Sequence, residues 1–273
     1  MTGIVRALAR GARTLEGSSD TPRLDAELLM AHALGIERDA LLLHPPALAA
    51  PAQFDALVER RAAGEPVAYI TGRRAFWNIE LEVGPGVLVP RPDSETLIAS
   101  AIDHFGHGAP RRILDLGTGP GTLLLAALDQ WPRASGVGVD ASDVALGYAR
   151  ANAVRLGLAD RAEFHLGDWA RGIDEPFDLV LINPPYVPDD ATLGPGVAEF
   201  EPGEALFAGP DGLDEYRRLA PDIRRLIAAG GLAAIEIGAD QSGAVSALLV
   251  DHGLDAVVAR DLAGRPRALL VKG

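Results

Sequence analysis

The sequence predicts an α/β protein: a doubly wound, mostly parallel sheet with helices on both faces, preceded by a small helical domain and a β-hairpin. Three observations predict it. From about residue 94 short apolar strands alternate with helical segments, as a parallel sheet wound on both faces requires. Before residue 72 the chain is rich in Ala and Leu at helical spacing. Between these regions the period falls to two, in Ala75-Phe76-Trp77-Asn78-Ile79-Glu80-Leu81-Glu82-Val83.

The first helix with clear ends starts at Pro22, whose ring suits a first turn, and stops at Gly35. Leu24, Leu28, Ala31 and Leu34 fall on one face, and Asp25 and Glu27 read as solvated. A second runs from about Pro51 to Ala63 and is closed by Gly64-Glu65-Pro66, with Glu59 and Glu65 again read as solvated. In the hairpin, Gly84-Pro85-Gly86 turns the chain and Val87-Leu88-Val89 returns it. Strands then follow at 112–116, 136–140, 162–166 and 177–182, the last apolar enough to be buried on both faces. Ser142 is placed to cap a helix through Leu156. A helix over 213–229, bent by Pro221, leads to a strand at 232–237. Strands at 254–259 and 268–272, joined by a turn at Gly264, add an antiparallel hairpin.

Composition narrows the function classes. The 273 residues are 48% hydrophobic and 23% charged, ample for a core. With no Cys there is no disulfide framework, thiolate zinc site or cysteine nucleophile. No apolar run reaches the ~18 residues of a membrane span, and Met1 to Arg6 opens an amphipathic stretch rather than a signal peptide. A cytoplasmic enzyme is expected. The net charge of −13 argues against sequence-independent binding to nucleic acid. His104 and His107 flank Gly106 near a helix end and read as surface, so no metal is expected.

Three strand ends carry candidate chemistry. Gly117-Thr118-Gly119-Pro120-Gly121 follows a strand and opens a helix, where backbone N–H groups and the helix dipole can meet a ligand. Its Gly-x-Gly-x-Gly spacing is not the dinucleotide fingerprint, and a tight turn alone would also explain it. Asp140 ends the next strand, where a carboxylate can accept from both ribose hydroxyls of a nucleoside or simply cap a helix. Asp168-Trp169 could bind an adenine amino group and pack on its ring, although core packing equally suits Trp169.

The most specific signal is Asn183-Pro184-Pro185-Tyr186 at the end of the fourth strand. A nitrogen conjugated to a ring or carbonyl is a poor nucleophile because its lone pair is delocalised. Two acceptors aimed at its hydrogens hold it and raise its electron density. The Asn183 side-chain oxygen is one. The Pro184 carbonyl is the other, left available because residues before proline are pushed to extended conformations. Pro185 fixes that geometry, and Tyr186 offers a face for a planar target.

In this order these residues resemble the AdoMet-dependent amino-methyltransferases, where Asp115 would be the acidic residue that precedes the glycines. The chain most closely resembles the release-factor glutamine N5-methyltransferases of the PrmC/HemK type, and does so over nearly its whole length. The likeness includes Gly64-Glu65-Pro66-Val67-Ala68-Tyr69-Ile70-Thr71-Gly72, Val89-Pro90-Arg91-Pro92-Asp93-Ser94-Glu95, Gly209-Pro210-Asp211-Gly212-Leu213 and Glu236-Ile237-Gly238. It implies a Rossmann-like, seven-stranded class I methyltransferase domain at 93–273, a hairpin linker at 73–92 and a helical substrate-docking domain at 1–72.

The resemblance further implies S-adenosyl-L-methionine as methyl donor, held by residues 117–121, Asp140, Asp168, Trp169 and Asn183. Asn183, Pro184, Pro185 and Tyr186 would bind the glutamine of the Gly-Gly-Gln motif of class 1 release factors, with Asn183, Pro184 and Tyr186 catalytic. Residues 89–95 would close over the donor. Pro120 stands where Ser or Thr is usual and removes one N–H from the loop; Ser94 stands where Thr is common and keeps the hydroxyl. A monomer is expected, with no stable nucleic-acid or membrane partner. The alternatives are glutamine methylation of a ribosomal protein, a DNA or RNA amino-methyltransferase, and a non-catalytic AdoMet-binding sensor.

Overall fold

A computed structural model describes residues 3–44 and 49–273. Of the opening Met1 to Arg6, Met1 and Thr2 lie outside the described residues, and the rest enters a helix. The chain forms two compact units: the residues up to Arg73 with Thr192–Glu201, and Arg74–Ala191 with Pro202–Gly273.

The first unit contains α1 (Gly3–Leu15), α2 (Pro22–Leu34), α3 (Arg38–Leu43), α4 (Gln53–Ala62) and α5 (Val67–Thr71). In α1 the buried residues Ile4, Ala7, Leu8, Gly11 and Leu15 recur at helical spacing and face Leu29, Met30, Phe54 and Val58. Gly11 matters because a Cβ there would lie 2.9 Å from the Phe54 ring. Pro22 opens α2 and Gly35 closes it at φ +66°, as the sequence indicates.

The buried face of α2 is only partly the expected one. Ala31 is buried and Leu34 packs against the core, but Ala26, Leu29 and Met30 are also inside together with Asp25 and Glu27, while Leu24 is exposed. Ion pairing decides it. Asp25 accepts from Arg61 Nε (2.7 Å), Ser19 Oγ (2.7 Å) and Thr21 Oγ1 (3.1 Å), and Glu27 is held by Arg23 and Arg38. Burial pushes the Glu27 carboxyl up, but the two guanidinium groups outweigh it and hold the pKa below the usual range.

A hairpin of β1 (Arg73–Phe76) and β2 (Ile79–Glu82) follows, all but its first residue in the second unit. Its turn is Trp77-Asn78, not Gly84-Pro85-Gly86, and Val87-Leu88-Val89 forms no strand. The left-handed Trp77 (φ +53°) tolerates the turn because its N–H donates to Glu95 Oε1 (2.9 Å) and its indole to Gln130 Oε1 (3.2 Å).

The sheet and its helices follow: α6 (Glu95–Phe105), β3 (Arg112–Leu116), α7 (Thr122–Gln130), β4 (Ser135–Asp140), α8 (Asp143–Arg155), β5 (Ala162–Leu166) and β6 (Phe177–Ile182). After α9 (Val197–Phe200), a part of the first unit, come α10 (Asp214–Leu226), β7 (Ile227–Glu236), α11 (Ser242–Asp251), β8 (Ala256–Arg260) and β9 (Pro266–Lys272). Ser142 caps α8, accepting from Ala145 N at 3.2 Å. The predicted helix over 213–229 ends at Leu226, because β7 begins at Ile227 and runs through Gly230 (φ +76°).

The seven strands lie in the order β5-β4-β3-β6-β7-β9-β8. The first five are parallel, and β9 runs antiparallel to both neighbours. Leu114, Leu116, Val180, Ile182 and Ile235 pack with Tyr216, Leu219, Ile223 and Leu249 in the core. The chain winds from β3 out to β5, then returns to lay β6 on the other side of β3. Between β3 and β6 the winding therefore reverses, and ligands of such sheets bind at the strands' carboxyl ends there.

Candidate active site

Leu116 and Ile182, the last residues of β3 and β6, are register partners. Gly117 and Asn183 therefore leave the sheet side by side, and a Cβ on Gly117 would lie 3.5 Å from the Asn183 carbonyl oxygen. At this point opens a cavity of about 650 Å³. It brings together Gly117, Thr118, Gly119, Pro120, Asp140, Asp168, Trp169, Asn183 and Pro185. Asp115 and Ser94 also line it.

Gly121, Pro184 and Tyr186 lie outside that lining. Gly121 caps α7 at φ +85°, its own position crowded by Leu125. Tyr186 packs on the sheet core, its phenol donates to Glu236 Oε1 (3.3 Å), and burial pushes its pKa up.

The glycine loop uses its N–H groups internally. Gly117 and Thr118 donate to Val139 O (2.9 and 3.0 Å), and Gly119 donates to Asp140 Oδ2 (2.8 Å). The loop is thus shaped to leave space rather than to present a row of donors: a Cβ on Gly119 (φ +56°) would meet nothing within 4 Å. Asp140 Oδ1 accepts from Ser142 N (2.8 Å), so the carboxylate is clamped at both oxygens while each keeps lone pairs for a further donor. The capping and ligand readings of Asp140 are compatible.

Asp115 is fully buried beneath the loop. Its Oδ2 accepts from Thr118 Oγ1 (2.7 Å) and Leu124 N (3.0 Å), whereas Oδ1 has no protein partner. Burial raises its pKa to about 7, against the pull of those two donors. Asp168 sits exposed on the rim, paired with Arg218, which also pairs with Glu215. Glu215 accepts the Trp169 indole N–H at 2.6 Å, fixing a tryptophan whose φ is +50°.

Asn183 donates from Nδ2 to Ser94 Oγ at 3.2 Å. An amide bonded through its nitrogen presents its oxygen at the other end, so Oδ1 is left to accept. Reading the sequence by motif missed Glu215, Arg218 and Asn152, the last of which donates to Pro120 O (3.0 Å) and steadies the loop, and gave Glu236 no role beyond its place in Glu236-Ile237-Gly238. One signal was present for Glu236: a carboxylate inside the apolar run Leu232-Ala233-Ala234-Ile235-Glu236-Ile237. Asn152 gives no such signal.

Comparison with known proteins agrees with this architecture. Residues 6–72 match the model of the PrmC N-terminal domain, and residues 109–235 match a methyltransferase domain. A release factor glutamine methyltransferase of Rhodospirillum rubrum is 43% identical, over 98% of this chain and 84% of its own length. That of Caulobacter vibrioides is also 43% identical, over 94% and 92%. The chain belongs to the release factor glutamine methyltransferases. Among solved structures, the ribosomal protein L11 methylase of Lactobacillus delbrueckii superposes with a TM-score of 0.52 at 19% identity, over 70% of this chain and 84% of that one. The Thermus thermophilus 16S rRNA N2 G1207 methyltransferase, solved with AdoMet and guanosine, gives 0.53 at 20% identity, over 73% and 49%. At such identity the likeness is one of fold.

Proposed function

We propose that this chain transfers a methyl group from AdoMet to the side-chain amide nitrogen of a glutamine in a class 1 release factor, the one in its Gly-Gly-Gln motif. The observation that carries the reading is Asn183: its amide nitrogen is engaged by Ser94 at the edge of a cavity built at the sheet's reversal point, and its oxygen is left to accept an N–H.

The residues present fit the donor. The unpartnered Oδ1 of Asp115, buried on the cavity wall, suits an ammonium group. The open space at Gly119 admits a chain past the backbone, and Asp140 retains lone pairs for two hydroxyls. Trp169 supplies an aromatic face and Asp168 an acceptor for an adenine. Bound AdoMet would supply a sulfonium methyl to the amide nitrogen, with sulfur retained in the S-adenosylhomocysteine thioether and one amide proton lost to solvent.

The chain's own part is positioning. Asn183 Oδ1 and the Pro184 carbonyl accept the two amide hydrogens, which fixes the nitrogen and concentrates electron density on it. No helix among the described residues is long and apolar enough to cross a membrane. The −13 charge favours a protein acceptor over a nucleic acid.

The test is mass analysis of a purified, unmethylated release factor incubated with the protein and AdoMet. One added methyl on the Gly-Gly-Gln glutamine is expected. AdoMet binding without that methyl would move the acceptor to another class.

A further inference from the structure

Asp168 and Trp169, just beyond β5, are both tied to the first two turns of α10. Trp169 stands at φ +50°, a conformation that persists only where its surroundings hold it. One edge of its ring lies against Gly117, where a Cβ would come within 3.2 Å of Cζ3. Its indole N–H donates to Glu215 Oε2 at 2.6 Å. The same oxygen accepts from Arg218 Nη1 at 2.7 Å, and Arg218 Nη2 donates to Asp168 Oδ1. These contacts close a circuit. It leaves residue 169, crosses to Glu215 and Arg218, neighbours on one face of α10, and returns to residue 168.

We propose that Glu215 is a positioning residue for the donor's adenine: it sets the Trp169 ring directly and the Asp168 carboxylate through Arg218. The proposal rests on the reading of Asp168 and Trp169 as the groups that meet the adenine. Every hydrogen bond of the circuit has a charged partner, which makes it one of the stronger kind. A ring anchored at its nitrogen and a carboxylate anchored at one oxygen are ordered before the ligand arrives. Binding then does not bear the cost of immobilising them.

The backbone of this loop is held by other groups. Arg171 N donates to Asp168 O (3.1 Å), and Arg225 Nη2 donates to Ala170 O (3.0 Å). Ala170 is itself fully buried in the core. Removing the Glu215 carboxylate therefore frees two side chains without releasing the loop that carries them. That separates orientation of the adenine groups from a merely structural role.

The experiment measures AdoMet affinity of the full chain by titration calorimetry, with methylation kinetics and melting temperature in parallel. E215A should weaken AdoMet about tenfold, the effect of leaving two side chains to be ordered by the ligand. Methylthioadenosine, which lacks the amino-acid end of the donor, should lose the same factor. KM for AdoMet should rise with it, while kcat falls no more than about threefold. E215Q keeps an oxygen for the indole and the guanidinium and should bind within about twofold of wild type. R218M leaves Glu215 on the indole, frees Asp168 alone and should lose about threefold. In nitrogen-15 spectra the Trp169 indole N–H resonance, identified by its absence in W169F, should move in E215A and move much less in E215Q.

E215A that binds AdoMet as tightly as wild type overturns the proposal. So does an equal loss in E215A and E215Q, an unmoved indole resonance, or a loss that tracks a lower melting temperature. If E215A does not fold, R218M decides: unchanged affinity overturns the proposal. D168A and W169A that both bind AdoMet normally overturn the adenine reading, and this proposal with it. If those two weaken binding and E215A does not, the proposal alone falls. The binding comparisons need no acceptor, so a release factor left unmethylated overturns the acceptor reading without touching them.

Discussion

Replacing Asp115 by asparagine should make the ligand-free protein more stable while weakening its grip on AdoMet. The side chain is fully buried, and burial raises its pKa from 3.8 to about 7. Each tenfold in proton affinity is worth about 1.4 kcal/mol. The span from 3.8 to about 7 is roughly three such decades, so at pH 8 the ionised carboxylate opposes folding by at most about 4 kcal/mol. Asparagine keeps an oxygen for Thr118 Oγ1 and Leu124 N and puts a neutral NH₂ where the unpartnered Oδ1 stands.

The sign follows from linkage. A carboxyl whose pKa is higher folded than unfolded contributes stability that is fully present below 3.8 and is lost as pH rises through about 7. The advantage of Asp115→Asn is therefore largest at pH 8 and shrinks to less than half by pH 5. For a domain of this size 1 kcal/mol moves the melting temperature by about 2–4 °C. Calorimetry at pH 8 should show a gain of at least about 3 °C. Titration calorimetry should show AdoMet affinity reduced about ten- to a hundredfold, the worth of a charged hydrogen bond. A variant no more stable than wild type at pH 8, or one whose gain is equal at pH 5 and pH 8, would refute the burial argument. Unchanged AdoMet affinity would refute the role given to Oδ1.

Three further outcomes are expected. Asn183→Ala should lower kcat by about a hundredfold, as loss of a preorganised polar partner does; a defect confined to AdoMet binding would contradict the role of its oxygen. Gly121→Ala should destabilise by about 1–3 kcal/mol, since the residue sits at φ +85° and a Cβ would lie 2.7 Å from Leu125 Cδ1; denaturant titration reads it. Asp25→Ala, which leaves Arg61 without its carboxylate and removes the acceptor for Ser19 and Thr21, should cost about 3 kcal/mol by the same titration, as breaking a buried pair does.

The centre of the sheet was legible because β3 and β6 are largely apolar, buried runs bounded by punctuation that only a turn or a cap explains. Residues 112–116 end at a glycine and residues 177–182 at Asn-Pro-Pro, and both boundaries fall where β3 and β6 end. The hairpin turn was misplaced for a physical reason: glycines mark where a turn is easy, whereas Trp77 is held at φ +53° by Glu95 and Gln130, partners far away in sequence. The face of α2 was misread likewise. A charged residue counts as solvated until its partners are known, and Arg61 lies 36 residues from Asp25. At the site the motifs named the residues at the strand ends but not those that orient them. Ser94 meets Asn183 across 89 residues and Glu215 meets Trp169 across 46, and no local pattern records such contacts.

Three acidic residues at the ends of parallel strands show how one fold assigns different work to one chemical group. Asp115, inside β3, is buried with one oxygen unpartnered, which makes it costly alone and receptive to a cation. Asp140, at the end of β4, is half-buried and clamped by two backbone N–H groups, which fixes its direction while leaving lone pairs outward. Glu236, at the end of β7, is buried behind the cavity, where Oε1 accepts the Tyr186 phenol and Oε2 has no hydrogen-bond partner. Exposure and partners, rather than residue type, separate the three roles. It follows that exchanging Asp for Asn should weaken AdoMet binding at Asp115 and at Asp140, whereas exchanging Glu236 for Gln, outside the cavity lining, should leave that binding unchanged, although all three changes remove the same charge.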